Sequence, residues 1–115
     1  HFGKRVFLQF IESHGTGTGI PDLFFHDEEP GWAELKQLTL GLRIPFRPGQ
    51  YAWLQRYTAL GGLALVIATL PDGTWLVLPG KAIRRVYGDM TELVRVASWV
   101  GDMLPECAFK RVYGR

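Results

Sequence analysis

The run "LALVIATL" at residues 63–70 limits the possible folds more than any other stretch of this chain. It is continuously apolar, of strand length, and followed by the tight turn "PDG" at 71–73. A run of this kind has no wet face, so it marks a central strand covered on both sides. "TWLVLP" at 74–79 then pairs back as a second strand. A strand covered on both faces needs other layers to cover it. "PGQYAWLQRYTAL" at 48–60 predicts one covering helix: Pro48 suits its first turn and Gly61–Gly62 its stop. Trp53, Tyr57 and Leu60 fall at i, i+4 and i+7 and give it an apolar stripe. "TELVRVASWVGDML" at 91–104 predicts a second helix, capped by Asp89 or Thr91 and ended by Pro105. Its apolar face would be Leu93, Val96, Ala97, Val100 and Leu104.

The first half of the chain reads as strands. "RVFLQFIES" at 5–13 fits a strand apolar on both faces, with a short helix as the alternative. "HGTGTGIP" at 14–21 has glycine at every second position and reads as a loop. "DLFFH" at 22–26 and "WAELKQL" at 32–38 read as a hairpin across the five-residue turn "DEEPG". "TLGLRIPFRPG" at 39–49 is irregular, and "GKAIRRVYGDM" at 80–90 has no decisive pattern. The predicted order is β-β-β-α-β-β-α, a mixed α/β (α+β) fold with a central mixed sheet flanked by helices. The 115 residues suit one domain, 1–115.

Composition narrows the function classes. Cys107 is the only cysteine, which excludes an internal disulfide and a four-cysteine zinc site and points to a reducing cytoplasm. No signal peptide is visible, and no apolar run of about 18 residues indicates a membrane span. A net charge of +2 permits nucleic acid as a partner without requiring it. Gly15, Gly17 and Gly19 lack the following helix of a dinucleotide fingerprint, and His14 and His26 lack zinc-ligand spacing. Trp32, Trp53, Trp75 and Trp99 read as core or interface residues.

The unusual feature is a carboxylate and an ammonium inside an apolar strand. Glu34 and Lys36 lie two residues apart on one strand face, about 7 Å from each other, while Leu35 points into the core. Asp22 opens the neighbouring strand and can approach the same edge. Two hard oxygen ligands suit Mg²⁺, which keeps several waters. Such an ion polarises a phosphate and lowers the pKa of a bound water, and a nearby lysine can orient that water. Taken singly, "PD" and "ELK" are common fragments that fit a turn and a solvated strand face; their order and spacing carry the specificity.

Pro21-Asp22 followed by Glu34-Leu35-Lys36 resembles the PD-(D/E)XK nuclease superfamily. Gly19-Ile20-Pro21-Asp22-Leu23, then Glu34-Leu35-Lys36, then Gln50, then Gly62 before "LALVIA" is similar to its virus-type replication-repair (VRR-NUC) branch, including standalone phage-type members. The resemblance covers about residues 6–78. It implies a β-β-β-α-β core and catalytic roles for Asp22, Glu34, Lys36 and Gln50. Asp22, Glu34 and the Leu35 backbone carbonyl would hold Mg²⁺ or Mn²⁺, and Lys36 would position the attacking water. The family's upstream helix, with its further acid, is not among these residues, which start at His1 rather than Met, so it is either absent or was cut away; Glu12 is the one candidate substitute ligand.

Arg43, Arg47, Arg56, Lys81, Arg84 and Arg85 are candidate phosphate contacts, with a solvated surface as the plain alternative for each. The expected activity is metal-dependent, structure-specific hydrolysis of DNA phosphodiesters at four-way (Holliday) junctions or flaps, in the cytoplasm of a bacterium or a phage-infected host. Two symmetric cuts on a junction imply a homodimer, and residues 80–115 could form a dimerisation or DNA-contacting extension. The alternatives are a non-catalytic DNA-binding or assembly module on the same fold, and a structural dimerisation domain built on the 91–104 helix.

Overall fold

The computed structural model describes residues 6–11, 19–39, 44–87 and 92–110. Within them lie six strands: β1 (Phe7–Phe10), β2 (Leu23–His26), β3 (Pro30–Gln37), β4 (Ala64–Thr69), β5 (Trp75–Pro79) and β6 (Trp99–Gly101). Three α-helices accompany them: α1 (Gln50–Ala59), α2 (Ile83–Val86) and α3 (Leu93–Val96). Short 3-10 turns occupy Gly80–Ala82 and Glu106–Phe109. All six strands join one sheet in sequence order. β3 and β4 are parallel, connected through α1, and the other neighbours are antiparallel.

The apolar run 63–70 forms β4, third from one edge of the sheet, and it is buried on both faces as its composition requires. Ala64, Val66 and Ala68 face the helices, packing with Leu54 of α1, Ile83 and Val86 of α2, and Leu93 and Val96 of α3. Leu63, Leu65 and Ile67 face the other way, into a second core with Leu23, Phe25, Ala33, Val77 and Phe109. Phe109 arrives from the C-terminal 3-10 turn and closes on Phe25 at 5.1 Å between ring centroids. Each large side chain buried this way contributes about 1.5–3 kcal/mol.

Three sequence expectations are corrected. The 91–104 segment is not one helix: only Leu93–Val96 is helical, and the chain then enters β6. The cause is the open edge of β5. The Ser98 backbone N–H and hydroxyl both donate to the Val77 carbonyl, at 2.7 and 3.2 Å, and Val100 pairs with Leu76. Beyond α3 the aromatic Trp99 and β-branched Val100 give helix propensity little with which to resist that pairing. Leu93, Val96 and Ala97 do reach the core, whereas Val100 is exposed and Leu104 packs under the opposite face. Leu60 leaves the predicted α1 stripe, lying exposed where the helix ends. The β2–β3 turn is tighter than predicted, with residues 27–29 between the strands.

One close approach fixes the loop before β2 against α1. Gly19 has φ 78°, and a Cβ there would lie 2.4 Å from the Gly49 carbonyl oxygen at the helix start. Gly61 also has a positive φ, but open space surrounds it. Gly19→Ala therefore meets both backbone strain and a clash with main chain that cannot rotate away, whereas Gly61→Ala meets strain alone. In urea unfolding, Gly19→Ala should cost about 1–3 kcal/mol, and clearly more than Gly61→Ala.

Candidate active site

Alternation on β3 sends Ala33 and Leu35 to the second core and Glu34 and Lys36 to the helical side. There they meet the first turn of α1. Glu34 is 1% and Gln50 2% exposed, the two buried polar residues among those described. Lys36 Nζ lies 3.0 Å from Glu34 Oε2. It also donates to Gln50 Oε1 at 2.8 Å and to the Pro45 carbonyl at 2.9 Å. Those three acceptors match the three donors of an ammonium. Gln50 ties the group together: its Nε2 donates to Glu34 Oε2, and its Oε1 also accepts the Arg47 backbone N–H at 2.7 Å. The Phe46 ring lies under Lys36, with the ammonium 5.4 Å from its centroid.

Asp22 reaches the same place from β2. The Leu23–Ala33 register sets Asp22 opposite Glu34, just beyond the paired part of the strand. The Ile11 N–H donates to the Asp22 carbonyl at 2.8 Å and holds its backbone. Asp22 Oδ2 accepts the Leu35 N–H at 3.1 Å, and Oδ1 lies 3.5 Å from Arg47 Nη2. The N–H and C=O of one strand residue face the same neighbour, so the Leu35 carbonyl is turned to the Asp22 side. The sequence thus delivered Asp22, Glu34, Lys36 and Gln50 to one cluster. It did not show Pro45 or Phe46 as part of it. Their signal was an apolar "IPF" inside an otherwise irregular loop, where a proline-stiffened turn brings a carbonyl and a ring over the strand.

Two buried side-chain polar atoms lack a hydrogen-bond partner among the described residues, Glu34 Oε1 and, on α1, Gln55 Nε2; only Glu34 Oε1 belongs to this cluster. A buried carboxylate oxygen left unpaired is costly. Burial pushes the Glu34 carboxyl above its ordinary range, the bond and charge of Lys36 pull it back without cancelling the effect, and the facing Asp22 carboxyl adds to the rise both by its charge and by its approach to hydrogen-bonding range. An oxygen of this kind is what a cation would satisfy. No group of three or more His, Cys, Asp or Glu residues that could hold a metal occurs among the described residues. Two carboxylates and a backbone carbonyl suit a hard ion that keeps its waters, and do not suit a four-ligand protein cage. The donor set therefore fits Mg²⁺ or Mn²⁺.

The cationic candidates divide. Arg47 stands at the site, paired with Asp22. Arg56 on α1, Lys81 in the first 3-10 turn and Arg84 on α2 are exposed on the helical side. Arg85 is held at 3.3 Å by Glu92, which also takes Arg95 at 3.5 Å. Glu12 and Arg43 lie outside the described residues. No helix among the described residues is long and apolar enough to cross a membrane. Comparison with family models, with curated proteins and with solved structures finds no match for the chain.

Two outcomes follow from this geometry. Gln50→Ala strips partners from the buried Glu34 and Lys36 at once and should lower the unfolding free energy by about 1–3 kcal/mol in a urea titration. The second concerns pH. A carboxyl whose folded pKa is raised binds its proton more tightly when folded, so in metal-free protein the Glu34 contribution to stability is lost as pH rises through that value. A divalent cation binds the ionised form. The gain in Tm on adding Mn²⁺ should therefore grow with pH above the ordinary carboxylate range, and Glu34→Gln should abolish the gain.

Proposed function

We propose that this chain is a divalent-metal-dependent endonuclease that hydrolyses DNA phosphodiesters in branched or flapped structures. The observation that carries the reading is the orphaned, buried Glu34 Oε1, set opposite Asp22 and beside a lysine and a glutamine. Asp22, Glu34 and the Leu35 carbonyl would hold the cation. When bound, the ion supplies Lewis-acid polarisation of the scissile phosphate. Lys36 orients the attacking water and offsets the charge that develops on the phosphoryl oxygens. Gln50 keeps Lys36 and Glu34 in place. Arg47 is the nearest cation for the flanking phosphate, with Arg56, Lys81 and Arg84 further along the helical side. The fold supports the reading, since a β-β-β-α-β order underlies the site. A four-way junction offers two symmetric cuts, so the working unit on that substrate is a homodimer; the cytoplasm is the compartment that fits a free cysteine and a DNA substrate.

One observation favours a second reading, a DNA-binding module on the same fold without catalysis. All three donors of Lys36 are already engaged, by Glu34, Gln50 and Pro45. As an active residue, Lys36 must exchange one of these partners for water or phosphate.

Cleavage of labelled four-way junction, 5′-flap, single-stranded and plain duplex DNA with Mg²⁺, Mn²⁺ or EDTA separates the two. The nuclease reading expects metal-dependent cutting of a branched substrate, reduced at least about a hundredfold by Asp22→Ala and by Lys36→Ala in folded protein. Tight junction binding with no cutting under any metal would instead favour the binding module.

A further inference from the structure

Helices cover only part of the sheet face that carries the site. Beyond Trp32 that face continues over β2 and β1 as Phe24, His26, Phe7 and Gln9, which the registers place on one side. Phe7 is 54% exposed, Gln9 and His26 are exposed, and Phe24 and Trp32 are half-buried. Their rings form a row. Phe7 meets Phe24 edge-on at 6.2 Å, Phe24 meets Trp32 at 5.3 Å, and Trp32 meets Trp53 of α1 at 5.9 Å. Trp53 and Tyr57 then stack at 4.8 Å. On the opposite face of the same strands, Leu8, Leu23, Phe25, Ala33 and Leu35 pack into the second core, while Phe10 at the end of β1 stays exposed.

The chemistry of this face selects its occupant. Apart from Pro30 at the strand start and Ile11 just beyond β1, opposite Asp22, the described residues of this face offer aromatic rings, one imidazole and one amide. Flat π surfaces interleaved with hydrogen-bonding groups on a sheet suit nucleobases, each of which has a π face whatever its identity. The location points the same way. Asp22 precedes Phe24 on β2 by two residues and Glu34 follows Trp32 on β3 by two, so the row begins about 7 Å from both carboxylates. Three strands at about 4.8 Å spacing give a floor wide enough for two or three splayed bases.

We propose that this aromatic floor binds unpaired nucleotides of a DNA strand entering the Asp22/Glu34 site, so that the protein selects DNA with single-stranded character beside the cut. The inference rests on the nuclease reading for the identity of the strand, but its binding step needs no metal and no cleavage. Bases paired in a duplex hide their faces and cannot lie on the floor. An unpaired arm or flap can. Affinity for single strands then has a stacking part that salt leaves in place, beside the phosphate part that salt removes.

The test is binding of labelled oligothymidylate and of blunt duplex, in EDTA, at low and high salt. It compares the natural chain with Phe7→Ser and Phe24→Leu, the first a solvent-facing change and the second close to volume-conserving. Tryptophan fluorescence follows the same titrations, with Trp32 as the reporter within the floor. Circular dichroism confirms the fold of each variant. Each variant should weaken oligothymidylate binding about fivefold or more at both salt concentrations, leave duplex binding unchanged, and reduce the fluorescence quenching. Equal losses for both DNA forms, or unchanged binding by folded variants, would overturn the proposal. So would a dimer that Phe7→Ser dissociates in sedimentation, since the face would then belong to a second copy. Failure of the nuclease reading shows elsewhere, as absent metal-dependent cutting while the binding difference persists.

Discussion

A carboxylate buried between a sheet and a helix start is the constraint on which the rest of this structure depends. Glu34 sits on a strand bonded on both sides and beneath the first turn of α1. Taking an ionised group to such a place is favourable only with close partners. Lys36 and Gln50 supply them, and Gln50 can do so only if α1 begins at that residue. The α1 start is in turn set against the Gly19 loop, which carries Pro21 and Asp22 onto β2. One buried charge thus couples two strands, a helix terminus and two loops. Yet the coupling satisfies only one of the two carboxylate oxygens. A cluster evolved for stability alone would do better with apolar side chains of equal volume.

On the proposed nuclease reading, that partial satisfaction serves function. Asp22 and Glu34 present oxygen, Lys36 presents a positive charge, and the exposed Arg47 pairs with Asp22. These are the parts that phosphodiester hydrolysis needs, placed on a rigid sheet rather than on loops. The neighbouring aromatic floor extends the argument from chemistry to substrate. It lies on the same strands and the same face as the acids, so a DNA strand bound there as proposed would reach them in a fixed direction.

Much of this was legible in the sequence, for identifiable reasons. The 63–70 run has no polar face, so a doubly covered strand was forced. Glu34 and Lys36 share a face because strands have period two, and Asp22 follows from hairpin pairing. The 91–104 segment misled because its apolar spacing fits a helix, while Trp99, Val100 and the unsatisfied edge of β5 decide for a strand, which only tertiary context reveals. Pro45 and Phe46 were hidden because their roles, a carbonyl and a ring over Lys36, depend on where an irregular loop passes. The tryptophans read as core or interface residues from the sequence. Trp53 packs on the helical core while Trp32, half-buried, joins it to the aromatic row, a distinction that requires knowing where α1 stops covering the sheet.

The most direct measurement is the anomalous scattering of Mn²⁺ in crystals of the protein grown or soaked with that ion. The account predicts one peak at coordination distance from Asp22, from Glu34 Oε1 and from the Leu35 carbonyl, about 2.0–2.2 Å from each. Clear density with Glu34 Oε1 still unliganded, Lys36 unmoved and no peak between the two acids would contradict it.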